Sequence, residues 1–477
     1  MSIRIYNSLK REKEIFKPVE EGKVKMYVCG PTVYDYFHLG NARAFLIFDV
    51  IRRFFEYKGY NVTYVQNFTD IEDKMIKRAE ELSISVEELA EKFIEAYLED
   101  ARAIGVRDAD YQPRATHHVE EIIDLIQRLL EKGYAYESEG DVFFDISNYD
   151  EYGKLCKQDL DELENSTRVS EEEIGKKKNP LDFVLWKAYK PGEPYWESPW
   201  GKGRPGWHIE CSAMSLKYLE NPFDIHAGGS DLEFPHHENE IAQSEGATGR
   251  TFCNYWMHVG YLKFDEKKMS KSLGNFMTVR DFRQKYDPRV LRFFLLNAHY
   301  RSPLNFNDEL LEQSISSVER INNFHSNFLH AMKTSEDLDK KDEADERMLD
   351  ILQNQVHQFD AAMCDDLNTA DALASIFTLI REVNNYLSRE RINAMVLSEI
   401  SYELDMIDEV LGIFPMKFDQ SEYDELLEDE IWEMIEKRDR ARKEKDFATA
   451  DAIRDQLKEK GIIIEDTPQG ARWKRMN

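Results

Sequence analysis

Between residues 23 and 66 the spacing of apolar positions changes twice. Lys23–Cys29 (KVKMYVC) reads as a short buried strand, ended by Gly30-Pro31. From Asn41 to Lys58, the residues Phe45, Ile47, Phe48, Ile51 and Phe55 fall close to helical spacing, and Gly59 is a stop. Tyr60–Gln66 (YNVTYVQ) alternates and is β-branched, which predicts a second strand. A strand–loop–helix–strand unit of this kind makes parallel strands joined by a right-handed crossover. Helical patterns then run to about residue 133.

Residues 134–205 change character. Short aromatic runs, charge clusters (Glu171–Glu173, Lys176–Lys178) and Pro/Gly punctuation predict an insertion with long loops. Strand and helix patterns resume near Trp207 and continue past Lys271. From about Asn307 the pattern is helical. Leu311, Ile315, Val318, Ile321, Phe324 and Phe328 form one apolar stripe, as expected for bundle packing.

Composition narrows the class. The chain has 477 residues and 42% hydrophobic residues, ample for buried cores. Lys+Arg 63 against Asp+Glu 92 leave a net charge of −29. Taken whole, that charge argues against a nucleic-acid partner, because phosphate backbones attract basic surfaces. The charge is uneven, however. Residues 331–430 hold 8 basic and 26 acidic residues, a net −18, whereas 431–477 hold 12 and 10, a net +2. The last segment carries Arg438, Arg440, Arg442, Lys443 and Lys445, then Arg472, Lys474 and Arg475 around Trp473. Basic residues interleaved with an aromatic suit phosphates and stacked bases. A solvated helix of alternating charges is the plain alternative.

Five widely spaced cysteines without C-x-x-C point to free thiols and a cytoplasmic protein. Met1–Phe16 has no apolar core, so no signal peptide is expected, and no run is long enough for a membrane span.

Three segments could carry chemistry. The loop Gly30–Asn41 sets His38-Leu-Gly40-Asn41 at a helix start, where free N–H groups and the helix dipole favour phosphate. Helix capping would place a histidine there equally well. Lys268 and Lys271, in Lys267–Asn275 (KKMSKSLGN), lie three apart on a short loop that suits a polyphosphate clamp, or simply an exposed basic turn. In His236-His237-Glu238-Asn239-Glu240, His236 and Glu240 share one helix face. Together with Cys29 and Cys211 they could bind zinc tetrahedrally, although no pair has zinc-finger spacing and buried inert thiols are the alternative.

Read together, these segments resemble class I aminoacyl-tRNA synthetases. His38-Leu-Gly40-Asn41 is similar to the HIGH signature, and Lys268–Ser272 matches KMSKS letter for letter. The flanking text (MYVCGPTVYDYFHLGNAR, NFTDIEDK, GKGRPGWHIECSAMS, HAGGSDLEFPHHENEIAQSE) resembles the cysteinyl-tRNA synthetase family in its bacterial form. The likeness continues through a DALR-type helical region and RxxARxxKDFxxAD at Arg438–Asp451. Leu39 and Asn41 depart from the HIGH spelling.

The resemblance implies an α/β fold with a Rossmann-type parallel-sheet catalytic domain. Its halves would be 1–133 and 206–262, split by the 134–205 insertion. A KMSKS junction (263–306), a helical bundle (307–410) and a C-terminal anticodon-binding domain (411–477) would follow. It implies ATP-dependent ligation of L-cysteine to tRNA(Cys) through a cysteinyl-adenylate, in a monomer with no membrane partner. His38, Gly40, Asn41, Gly229, Asp231, Lys268 and Lys271 would hold ATP. Among them His38, Asn41, Lys268 and Lys271 would act in catalysis, and Mg²⁺ would accompany the nucleotide. Cys29, Cys211, His236 and Glu240 would ligate one zinc, with His237 as a neighbour. Thr69 and Trp207 would line the amino-acid pocket. A hydrophobic pocket separates isosteres such as cysteine and serine by only about 10²-fold. A zinc with an open position prefers the thiolate, and the insertion of about 72 residues is short for an editing module. A cysteine ligase of mycothiol synthesis and a non-catalytic zinc- or RNA-binding paralogue are the competing readings.

Overall fold

Two short strands that apolar spacing does not signal open the chain. β1 (Arg4–Asn7) pairs antiparallel with β2 (Glu12–Ile15), Arg4 facing Ile15. Each has four residues and mixed polarity, too short to display a period. The computed structural model describes residues 1–157, 175–264, 267–268, 277–336, 338, 340–415, 425–443, 446–459, 462–467 and 470–475.

The expected strand–helix–strand unit follows as β3 (Lys23–Val28), α1 (Leu39–Tyr57) and β4 (Asn61–Gln66). β3 and β4 run parallel, Met26 opposite Tyr64. The helix starts two residues ahead of its apolar pattern because His38 caps it, and it ends just before Gly59, whose φ of 86° only glycine adopts readily. Next come α2 (Asp73–Leu82), α3 (Val86–Ala103), begun by a Ser85–Glu88 capping box, and α4 (Val119–Glu131).

The described residues of the insertion hold more strand than its composition suggests. β5 (Ala135–Ser138), β6 (Asp141–Phe144), β7 (Phe183–Ala188) and β8 (Gly203–Pro205) make a four-stranded sheet, antiparallel throughout. Its aromatic runs are the reason. Phe144, Phe183, Leu185 and Trp186 are buried against Ile122, Leu125, Ile126 and Leu129 of α4. Runs of three to six residues hide that periodicity in the sequence.

The chain then returns to the first sheet through α5 (Trp207–Leu219), β9 (Phe223–Gly229), α6 (Glu238–Thr248) and β10 (Cys253–Val259). The strand order is β10-β9-β3-β4, all parallel. Val24, Met26, Tyr27 and Val28 of β3 are all buried, as in a sheet covered on both faces. The order reverses at β3, whose neighbours β4 and β9 lie on opposite sides. Ligands of open α/β sheets bind beyond the carboxyl ends of strands at such a point.

β11 (Leu262–Phe264) pairs antiparallel with β12 (Lys267–Lys268). After α7 (Val279–Arg283) and α8 (Pro288–Leu296), β13 (Leu304–Phe306) joins β11 in parallel. These elements and Ala362–Ala370 belong to a unit that begins at Met1 and runs to Leu311. Buried Asp366 ties its parts together, accepting from the Tyr6 N–H, the Tyr300 hydroxyl and Arg301 Nε, each at 2.8 Å.

The second unit comprises Glu312–Ala361 and Asp371–Asn477. Its helices are α9 (Asp308–Thr334), α10 (Glu343–Cys364), α11 (Thr369–Leu387) and α12 (Ala394–Leu411), the first three having one end in the first unit. Val318, Ile321, Phe324 and Phe328 of the expected stripe are buried, and Ile315 is half-buried. The C-terminal segment is not helical throughout. After α13 (Glu425–Lys443) and α14 (Phe447–Glu459), β14 (Ile462–Thr467) and β15 (Gly470–Arg475) form a hairpin. Arg472, Trp473, Lys474 and Arg475 therefore lie on a strand. Among the described residues no helix is long and apolar enough to cross a membrane.

Candidate functional site

Cys29 is the first residue beyond β3, and its N–H donates to Ala227 O of β9 at 3.0 Å. It thus stands at the carboxyl edge of the sheet, where the strand order reverses. Cys211 projects from α5. His236 precedes α6 and Glu240 lies in its first turn. All four are buried, and their ligand atoms lie within 4.8 Å of one another. The two sulfurs are 3.9 Å apart. Cys29 Sγ is 3.5 Å from Glu240 Oε1, and His236 Nε2 is 3.0 Å from the same oxygen.

This donor set fits a metal. A tetrahedral zinc with bonds to sulfur of about 2.3 Å separates two thiolates by about 3.8 Å. Without an ion the set leaves a buried polar atom unserved: Glu240 Oε2 makes no hydrogen bond among the described residues. His226 Nε2 lies 3.2 Å from it. The charges of the cluster are interlocked. The hydrogen bond from Cys29 draws the Cys211 thiol down to about 6. Burial pushes Glu240 up, but His226 and His236 outweigh it and hold the carboxyl at about 2. Burial pushes the Cys29 thiol well up.

Around the four stand His237, expected as a neighbour, and His226, His258 and Asn67, which the sequence reading did not assign. Cys29 Sγ also meets His226 Nε2 at 3.5 Å and His237 Nε2 at 3.4 Å, a second convergent set with Glu240. His237 Nδ1 lies 2.8 Å from His258 Nε2. Asn67 Oδ1 accepts from the Gly30 N–H at 2.9 Å and lies 3.7 Å from Cys211 Sγ. The Asn67 signal was the NFTD run; His258 had no motif.

The pocket candidates reach the cluster by separate routes. Thr69 is buried, and its hydroxyl lies 3.4 Å from Asn67 Nδ2. Trp207, at the start of α5, lays its ring against His236 with centroids 4.6 Å apart, and keeps 37% of its surface exposed. A side chain that is both open to ligand and stacked on a metal candidate can cover a small substrate.

His38 is the N-cap of α1. Its backbone is extended, and its Nδ1 accepts from the Asn41 N–H at 3.3 Å. Both the capping and the phosphate readings of this residue are therefore open to it, since Nε2 has no part in the cap. A Cβ at Gly40 would come 2.9 Å from His38 Nδ1, so glycine leaves the imidazole room. Asn41 is exposed one turn in. Gly229 closes β9 at the same edge of the sheet, and exposed Asp231 follows it in a short 3₁₀ turn. Lys268 ends β12 as backbone, paired with Lys263. Lys271 lies outside the described residues.

Comparisons with known proteins bear on this site. Residues 15–316 match the family described as tRNA synthetases class I (C) catalytic domain. Residues 358–415 match a DALR domain, and 424–473 the cysteinyl-tRNA ligase anticodon binding domain. Cysteine-tRNA ligases of Bacillus cereus and Bacillus cytotoxicus are each 52% identical over 476 residues, covering 100% of both chains. This chain belongs to the cysteine-tRNA ligase family.

The fold agrees with that of solved class I synthetases. Mycobacterium tuberculosis methionyl-tRNA synthetase in complex with methionyl-adenylate superposes with a TM-score of 0.62 at 16% identity, covering 81% of this chain and 90% of that one. The Agrobacterium radiobacter K84 LeuRS ternary complex gives 0.62 at 12%, over 83% and 85%. Membership in the family, with its anticodon-binding model at the C-terminus, corrects the inference from net charge: −29 does not exclude an RNA partner.

Proposed function

We propose that the chain is a cysteine-tRNA ligase that joins L-cysteine to tRNA(Cys) with ATP, through a cysteinyl-adenylate. The observation that carries this reading is the 52% identity to cysteine-tRNA ligases over the full length of both chains. The cysteine carboxylate attacks the α-phosphorus of ATP and displaces pyrophosphate. The 2′-hydroxyl of the terminal tRNA ribose then attacks the adenylate carbonyl and releases AMP. Such chemistry depends on positioning and on neutralising charge more than on a protein base.

His38 and the N-terminal turn of α1 around Gly40 hold the phosphates, with Asn41 beside them. Lys268 and Lys271 neutralise charge on the α-phosphate and the departing pyrophosphate, and Mg²⁺ accompanies the incoming ATP. Gly229 and Asp231 line the adenosine side. Thr69 and Trp207 enclose the amino acid. Cys29, Cys211, His236 and Glu240 hold a zinc. When bound, that zinc supplies a soft centre that takes thiolate in preference to hydroxyl. The six-part domain division proposed from sequence follows the same logic, with a monomer in the cytoplasm carrying every part.

The anticodon-binding match over 424–473 favours this reading over a cysteine ligase acting on a sugar, and the intact donor set over a non-catalytic paralogue. Cysteine-dependent exchange of pyrophosphate into ATP, followed by charging of tRNA(Cys), tests it. Exchange without charging would overturn the tRNA assignment, and no exchange would overturn the enzyme.

A further inference from the structure

Arg43 sits in α1, one turn beyond His38. Its side chain is fully buried. Among the described residues no carboxylate pairs with it. Instead Nη1 donates to Gly260 O at 2.7 Å and Tyr261 O at 3.3 Å, and Nη2 to His299 O at 3.2 Å. Nε makes no hydrogen bond in the described structure. Burial alone pulls the guanidinium down to about 10, which still leaves it charged at neutral pH. A buried charge without a counter-charge is a costly way to fill space, and an apolar side chain of similar volume would do that at less cost.

The carbonyls it grips show what it is for. Gly260 and Tyr261 are the two residues between β10 and β11. His299 lies on the approach to β13, which pairs with β11. β11 in turn carries β12, where Lys263 stands opposite Lys268. The far side of this segment is tied to the same helix. Leu39 N–H donates to Met277 O at 3.0 Å, and Val279 N–H to Phe37 O at 3.1 Å. Gly260 and Tyr261, ahead of β11, and Met277, ahead of α7, are thus each tied to the first turns of α1, and Arg43 makes the first of these ties.

We propose that Arg43 is a positioning residue for adenylate formation: its guanidinium fork fixes the start of β11, and so the strand bearing Lys268, against the helix end that bears His38 and Asn41. The inference rests on the role given above to Lys268. Misplacing a charge-neutralising group by about 1 Å can cost about 10²-fold in rate. Only arginine can grip three diverging carbonyls with one planar group; lysine keeps the charge but not the fork.

The test is Arg43→Lys in the full-length protein, with pyrophosphate exchange measured per titrated active site. The expected result is a fall in kcat of about 30-fold or more. The KM for cysteine, the zinc content and the transfer of cysteine from preformed adenylate to tRNA stay within about twofold of the parent. A merely structural role would reduce the number of titratable sites and leave the rate per site unchanged, which overturns the proposal. The same substitution in a Lys268→Ala background separates the two ideas. If Arg43 acts through Lys268, it costs little more there; a full second loss overturns the coupling. Unimpaired exchange by Lys268→Ala alone would instead overturn the reading of Lys268. Should Arg43→Lys fail to fold, Arg43→Gln is measured in the same way.

Discussion

The sulfurs of Cys29 and Cys211 stand 3.9 Å apart although 182 residues separate them in the chain. One sulfur comes from the edge of the parallel sheet and the other from α5. Their meeting is what turns two isolated thiols into part of a candidate metal-binding set, and it makes the set testable. Cys211→Ser is expected to lower bound zinc, and to raise the ratio of serine to cysteine activation by about tenfold or more. Metal analysis and exchange with both amino acids measure this. Active enzyme free of zinc would remove the metal from the account.

His38 has two tasks that a substitution can separate. Its Nδ1 caps α1, a contribution of about 1 kcal/mol, and the proposed phosphate contact is assigned to its other ring nitrogen, Nε2. His38→Asn keeps a good cap. The melting temperature is expected to hold within about 2 °C, while kcat for exchange falls about 10²-fold. An unchanged kcat would make His38 a cap alone.

Lys271→Ala is expected to slow adenylate formation about 10²-fold or more while the KM for cysteine stays near its parent value. The distinction matters because a lysine that neutralises the leaving pyrophosphate acts in the transition state, not on the bound amino acid. A rise in KM with kcat unaltered would place it in substrate binding instead.

Removal of everything after residue 415 should leave cysteine-dependent exchange within about threefold of the parent. Charging of tRNA(Cys) should fall at least about tenfold, because the segment matching the anticodon-binding model is lost. Full charging by the shortened chain would show that the tail is not needed to hold tRNA.

Asp345 supports the helical unit and gives it an acid limit. Its carboxylate accepts from the Tyr386 hydroxyl at 2.7 Å, Arg389 Nη1 at 2.9 Å, Asn393 Nδ2 at 3.1 Å and the Asp342 N–H at 3.1 Å. Burial raises its pKa, but these hydrogen bonds outweigh burial and hold it below its ordinary value. The stability it contributes is therefore present above about pH 4 and is lost as pH falls through the depressed pKa. Asp345→Asn is expected to cost about 1.5–3 kcal/mol at pH 7, and markedly less near pH 3. Thermal melts at the two pH values check it; an equal cost at both would mean the charge is irrelevant.

Much of this protein could be read without coordinates. The unit expected at Lys23–Cys29, Asn41–Lys58 and Tyr60–Gln66 is legible because a short apolar or alternating run marks a strand, and apolar positions recurring every three to four residues mark a helix. KMSKS and its companion signature are contiguous, so their residues could be named from spelling alone. The insertion sheet and the terminal hairpin were harder. Their strands are short, and one buried side of a three- to six-residue strand holds too few positions to form a pattern.

What only the tertiary structure decided are the relations between distant residues. Cys29, Cys211, His236 and Glu240 carry no metal-binding spacing, and parallel strands in the order β10-β9-β3-β4 bring them together. Trp207 against His236 and Asn67 between Gly30 and Cys211 likewise depend on where helices land. Arg43 reads in sequence as one more polar position on a helix; its three carbonyl partners make it an anchor. The division has a physical cause. Local pattern records which side of each element meets water, whereas a site is made where elements cross, and crossing is settled by packing over the whole chain.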